Sequence, residues 1–185
     1  MTIFILMLIS FGLLAMPLDW IALSWSEVGS IKFFVNLITH QLGHAGLGHL
    51  LGNYTFMIPY AIYLEDKIGT RKFLLFYFVV GLLACFGQVL GSNGGGLIGS
   101  SGAAFGIFAG ACALFRETLV RRVVAFSLLG LSVMIQFYLA THDTFSMTGY
   151  WAHFSGALGG LALMHFFPWL HSQSNSDLKK TSLSS

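Results

Sequence analysis

A serine, a histidine and a run of further polar side chains stand out against a chain that is otherwise strongly apolar. Ser101 lies in Gly99-Ser100-Ser101-Gly102, His153 lies in the stretch Trp151-Ala152-His153-Phe154-Ser155-Gly156, and His40, His44, His49 and Asn53 follow one another at intervals of four or five residues. A serine hydroxyl attacks a carbonyl efficiently only when a base removes its proton. A histidine whose Nε2 lies about 3 Å from the serine Oγ takes that proton during attack and returns it to the leaving amine. Ser101 is therefore the candidate nucleophile and His153 the candidate base. The acidic residues Asp19, Glu27, Glu65, Asp66, Glu117, Asp143 and Asp177 all fall at helix ends or in loops. None is available as a third member, so the expected site is a dyad. Its histidine must be oriented by packing or hydrogen bonds, and Phe105, one turn after Ser101 on the same face, is placed to support the ring.

Attack leaves negative charge on the carbonyl oxygen, which needs donors aimed at it. The backbone N–H of Ser101 is one. His49 and Asn53, four residues apart and so on one helix face, are the side-chain donors expected to complete an oxyanion site. His40 and His44 read either as loop residues outside a membrane or as supports of the site. Gly102, Gly106 and Gly110 form a small-residue stripe, with Ala103, Ala109 and Ala111 nearby, that lets neighbouring backbones approach and hold Ser101 rigidly. Gly156 and Gly160 offer a second such face beside His153.

These residues must be positioned by helices in a bilayer. Of 185 residues 56% are hydrophobic and 9% charged, and mean hydropathy is +0.78. An ordinary soluble domain is roughly 25% charged. Apolar stretches predict six transmembrane helices, at about 3–24, 45–64, 72–91, 101–115, 121–140 and 149–169. The fourth is short, since 15 residues at about 1.5 Å each fall well below the roughly 30 Å hydrocarbon core. Entered through the Gly-rich segment 91–100, it must be surrounded by other helices, and so reads as the centre of a bundle. Residues 1–171 form one all-α membrane domain; 172–185, rich in Ser, form a polar tail expected to be unstructured.

Lys67, Arg71, Lys72, Arg116, Arg121, Arg122, Lys179 and Lys180 all fall in segments that a six-helix chain puts on one side. The positive-inside rule makes that side, with both termini, cytoplasmic, and opens the polar clusters to the external face. The first apolar stretch has no basic residue before it and no small-x-small cleavage pattern after it, so it is expected to be a helix of the domain and not a secretory signal. Cys85 and Cys112 have no metal-type spacing and read as small core residues.

The three clusters, in this order, resemble the rhomboid family of intramembrane serine proteases, and the resemblance runs through the whole six-helix core. His40, His44, His49 and Asn53 match the family's H-x3-H-x4-H-x3-N run, Gly99 to Gly102 its G-x-S-G box, and His153 its A-H-x-x-G box. Glu65, Gly69 and Arg71 resemble its pattern at the cytoplasmic turn after the second helix. The resemblance implies a Ser101–His153 dyad, His49 and Asn53 as oxyanion donors, and location in a bacterial inner membrane. The implied substrates are single-pass membrane proteins, cut near the external end of a helix that unwinds easily and carries a small residue before the scissile bond. No cofactor, metal or nucleic-acid partner is expected. Two departures stand out: Val35-Asn36 occupy the place of a Trp-Arg pair common in bacterial members, and Phe105 the place of a frequent tyrosine. Three alternatives compete: a rhomboid-like pseudoprotease that binds membrane clients, a metal or haem protein using His40, His44, His49 and His153, and a small channel or transporter. The first usually lacks the serine or histidine present here, the second leaves the G-x-S-G box without a purpose, and the third lacks its expected ionisable residue.

Overall fold

The computed structural model describes residues 2–91, 96–115, 118–142 and 149–170. The tail expected at 172–185 lies outside them, as does much of the loops at 91–100 and 141–148. Among the described residues the chain is mostly helical, with short turns and one ribbon of two two-residue strands. The helices are α1 (Thr2–Leu13), α2 (Leu18–Ile21), α3 (Ile31–Thr39), α4 (Leu47–Ile68), α5 (Thr70–Gly91), α6 (Ser101–Leu114), α7 (Leu119–His142) and α8 (Tyr150–Phe166). Short strands β1 (Leu23–Ser24) and β2 (Gly96–Leu97) pair antiparallel, with Leu23 opposite Leu97.

Helix α6 runs through the centre of the molecule, with every residue from Gly102 to Cys112 buried except Phe105. Its glycine stripe faces α5. A Cβ at Gly102, Gly106 or Gly110 would crowd Ala84, Val80 or Phe76, which themselves recur every four residues along α5. The contact with α8 is closer still, since a Cβ at Gly156 would collide with the Gly102 carbonyl and one at Gly160 with the Gly106 carbonyl. Backbone therefore meets backbone along the α6–α8 seam, as small-residue faces permit.

Two stretches depart from the sequence expectation. The helix expected at 3–24 ends at Leu13, because Pro17 disfavours helical backbone at the residue before it, and only the single turn α2 follows. The segment 25–44, expected as a connection, contains α3. Ser30 caps that helix by accepting from the Phe33 N–H at 3.1 Å, and buried Asn36 donates from Nδ2 to the Ala22 carbonyl at 3.0 Å. Asn36, one of the two residues at the departure from the family pattern, thus fastens α3 to the chain just before β1.

At the opposite end of the bundle the Glu65 carboxylate accepts from the Thr2 N–H (2.9 Å), the Thr2 hydroxyl and the Thr70 hydroxyl (2.8 Å). It thereby ties α1 and the start of α5 to the end of α4, across a turn where Gly69 adopts φ +82°. Among the described residues two helices are long and apolar enough to cross a membrane on their own, Thr70–Gly91 and Leu119–Leu139. Helix α4 has the length, but His49, Asn53, Glu65, Asp66 and Lys67 make it more polar; α1 and α6 are apolar but shorter. Cys85 and Cys112 are free and buried.

Candidate active site

The seam between α6 and α8 decides which side chains meet. Gly102 and Gly156 touch, so the residue just before Gly102 and the residue one turn before Gly156 stand side by side at the same end of the bundle. These are Ser101 and His153. His153 Nε2 lies 2.8 Å from Ser101 Oγ, a hydrogen-bond length. The imidazole is buried, and it stacks on Phe105 with ring centroids 4.7 Å apart and planes 15° from parallel. The start of α8 is fixed as well: the Ala152 N–H donates to Gln88 Oε1 of α5 at 3.0 Å.

One partner of the histidine comes from a helix that the sequence did not implicate. His153 Nδ1 lies 2.8 Å from Gln136 Oε1, on α7. An amide carbonyl oxygen only accepts, so Nδ1 carries the proton and Nε2 is left to accept from the serine hydroxyl. Gln136 was readable only as a lone amide in the apolar 121–140 stretch, and periodicity gives no hint of where it points.

The loop before Ser101 is shaped by Gly99, whose φ of +114° is a conformation that side chains disfavour. Its N–H donates to the His40 carbonyl at 2.9 Å, and a Cβ there would press on His49 and Asn53. Both of those side chains accordingly lie over the backbone just ahead of the serine. The Ala45 N–H donates to His49 Nδ1 at 3.4 Å, which makes Nε2 the protonated nitrogen and a donor toward Gly99. Asn53 Nδ2 is buried without a hydrogen-bond partner among the described residues. Ser100, before the first turn of α6, makes no side-chain cap, and the first N–H groups of a helix have no partner inside it. Amide, imidazole and carboxamide donors thus converge beside Ser101, where the helix dipole also favours negative charge.

His40 and His44 are buried and stand in the wall of this site. His40 Nδ1 donates to the Asn36 carbonyl at 2.7 Å. His44 Nδ1 donates to the Leu42 carbonyl at 3.2 Å, leaving its Nε2 to accept from Ser100 Oγ, also at 3.2 Å. Burial pushes both imidazoles down to about 4, so they are neutral at physiological pH. Among the described residues no group of three His, Cys, Asp or Glu side chains gathers as metal ligands would.

A serine in hydrogen-bond contact with a buried histidine, donors beside it and a helical bundle with an apolar exterior are the features of a membrane protein with a candidate hydrolytic site. Residues 32–169 match the family model described as Rhomboid domain, and the chain belongs to the rhomboid family, whose members are integral membrane proteins. Family membership makes it an intramembrane protease or a rhomboid-like protein of the same fold. It is similar to Rhomboid-like protease 3 of Toxoplasma gondii, with 30% identity over 141 residues, 71% of this chain and 51% of that protein. The chain thus spans about half the length of that relative.

Proposed function

We propose that the chain is an intramembrane serine endopeptidase that cleaves single-pass membrane proteins near the external end of their helix. The observation that carries this reading is the 2.8 Å approach of the buried His153, through Nε2, to Ser101 Oγ. Ser101 Oγ attacks the scissile carbonyl carbon as its proton passes to His153 Nε2. The oxyanion is held by the Ser101 N–H, His49 Nε2–H and the unpartnered Asn53 Nδ2. Collapse breaks the C–N bond, and the imidazolium gives its proton to the leaving amine. Water, deprotonated by the same imidazole, then releases the acyl group and regenerates the serine.

A peptide bond inside a helix is closed to a serine, so the substrate helix must unwind at the site; His49, Asn53 and the loop at 96–100 form its polar rim. In this reading residues 1–171 are the membrane domain, crossed by α1, α4, α5, α6, α7 and α8, with α2, α3 and the ribbon at the external end. The tail 172–185 and both termini are cytoplasmic, on the side of Lys67, Arg71, Lys72, Arg121 and Arg122. The membrane is a bacterial inner membrane, and neither metal nor cofactor takes part. The test is cleavage of a model single-pass substrate by purified protein in liposomes. Wild type should cut and Ser101→Ala should not; a folded wild type that cuts none of several substrates would favour a client-binding pseudoprotease.

A further inference from the structure

We infer that Gln136 is a positioning residue for His153, and that the reactive pair is complete only when α7 is seated against α8; this rests on the serine-protease reading. The argument starts from the two nitrogens of one ring. His153 can act on Ser101 only if its Nε2 is unprotonated, which in a neutral imidazole requires the proton on Nδ1. A buried N–H without an acceptor is costly. The acceptor here is Gln136 Oε1 at 2.8 Å, and neither α7 nor α8 carries an acidic residue in its own sequence. Stacking on Phe105 fixes the plane of the ring, but a stacked ring can still turn within its plane or carry its proton on the other nitrogen. The hydrogen bond to Gln136 selects one rotation and one tautomer. Ser101, His153 and Gln136 therefore form a hydrogen-bonded chain in which an amide oxygen takes the orienting place a carboxylate holds in a triad, with the proton staying on Nδ1.

The helix that carries this oxygen makes few buried contacts with the rest of the bundle. Among its described side chains only Ala125 and Leu129 are buried, while α6 is buried along nearly its whole length. Near the site α7 rests on α8 through Phe137, whose ring lies 5.9 Å from Trp151 and 5.4 Å from Phe154. Phe137 follows Gln136 directly, so the aromatic contact that seats α7 and the amide that orients His153 move together. Displacement of α7 would withdraw the acceptor and leave the histidine free to adopt the unproductive tautomer.

The test compares Gln136→Met, which keeps the shape and removes the acceptor, with Gln136→Glu, which keeps an acceptor oxygen. Two readouts are taken: kcat and KM on a model substrate in liposomes, and ¹⁵N NMR of the His153 ring in detergent, assigned by its loss in His153→Gln. Gln136→Met should lower kcat roughly 10- to 100-fold with KM within about twofold, and the His153 signal should lose its Nδ1-protonated signature. Gln136→Glu should keep both within about fivefold of wild type. A Gln136→Met protein with wild-type kcat and an unchanged Nδ1-protonated ring would overturn the positioning role, as would equal loss in both variants. An inactive wild type that shows the Nδ1-protonated ring, lost in Gln136→Met, would overturn the protease reading and leave the positioning of His153 standing.

Discussion

The proposed mechanism asks two things of His153, to be neutral and to present Nε2 to Ser101, and each contact around it suits one of them. Phe105 covers its face, Gln136 Oε1 accepts a hydrogen bond from its Nδ1–H, and Ser101 occupies Nε2. Removing either reacting group should abolish turnover while leaving the fold intact: Ser101→Ala and His153→Ala are expected to be inactive yet to melt close to wild type, and substantial cleavage by either would refute the dyad. Asn53 differs because its Nδ2 is buried with no hydrogen-bond partner among the described residues, as befits a donor awaiting charge. Asn53→Ala should therefore lower kcat by roughly 10–1000-fold, since the Ser101 N–H and His49 remain as donors. Activity equal to wild type would move the oxyanion elsewhere. At this scale the sequence was informative wherever chemistry requires a residue type at a set spacing. It was silent on Gln136, because an amide in an apolar helix carries no spacing that tells which neighbour it meets.

The elements that hold these residues are fixed by glycines and by buried imidazoles. The α6–α8 seam depends on Gly156, where a Cβ would strike the Gly102 carbonyl, so Gly156→Val must push the two helices apart. Overpacking of this kind costs about 1–3 kcal/mol or more. It should appear as a lower Tm in detergent together with lost turnover, and an unchanged Tm would argue against close contact of the two backbones. The loop at 40–46 makes a pH prediction. His40 and His44 sit near 4 in the folded protein against an ordinary value of 6.5, because burial disfavours the charged ring. The unfolded chain therefore binds more protons between those values, and stability is lost as pH falls from about 6.5 toward 4. Melting at pH 5 should come below melting at pH 7.5; equal Tm values would mean that these rings are hydrated. The small-residue stripes were legible beforehand because their period is that of the helix. The break at Pro17 and the helix α3 were harder to read: apolar residues continue through the first, and the second is too short to declare itself by periodicity.

Over the whole molecule, the charge pattern and the site make one arrangement. Basic residues cluster where α4 meets α5 and at the start of α7, whereas Ser101, His153 and the β1–β2 ribbon lie at the other end. The proposed orientation can be read by cysteine labelling, since Cys85 and Cys112 are buried and give little background. A membrane-impermeant maleimide should label Ser26→Cys on intact cells and Asp66→Cys only after permeabilisation; the reverse would invert the topology. Apolar composition announces a membrane bundle, but a helix such as α4, which carries both oxyanion candidates and the Glu65 junction, trades hydrophobicity for function. That polarity keeps α4 from standing out as a span, whereas α1 and α6 are apolar but short, so length and apolarity alone pick out two helices.

The central claim is that Ser101 is a nucleophile activated by His153, and it is tested most directly by covalent capture. The protein in liposomes would be treated with a fluorophosphonate, whose fluoride leaves as a serine oxygen bonds to phosphorus, and the adduct would be mapped by peptide mass spectrometry. The account predicts a single modified residue, Ser101, in the wild type and none in His153→Ala. Modification at another serine, or equal labelling of Ser101 without His153, would contradict it.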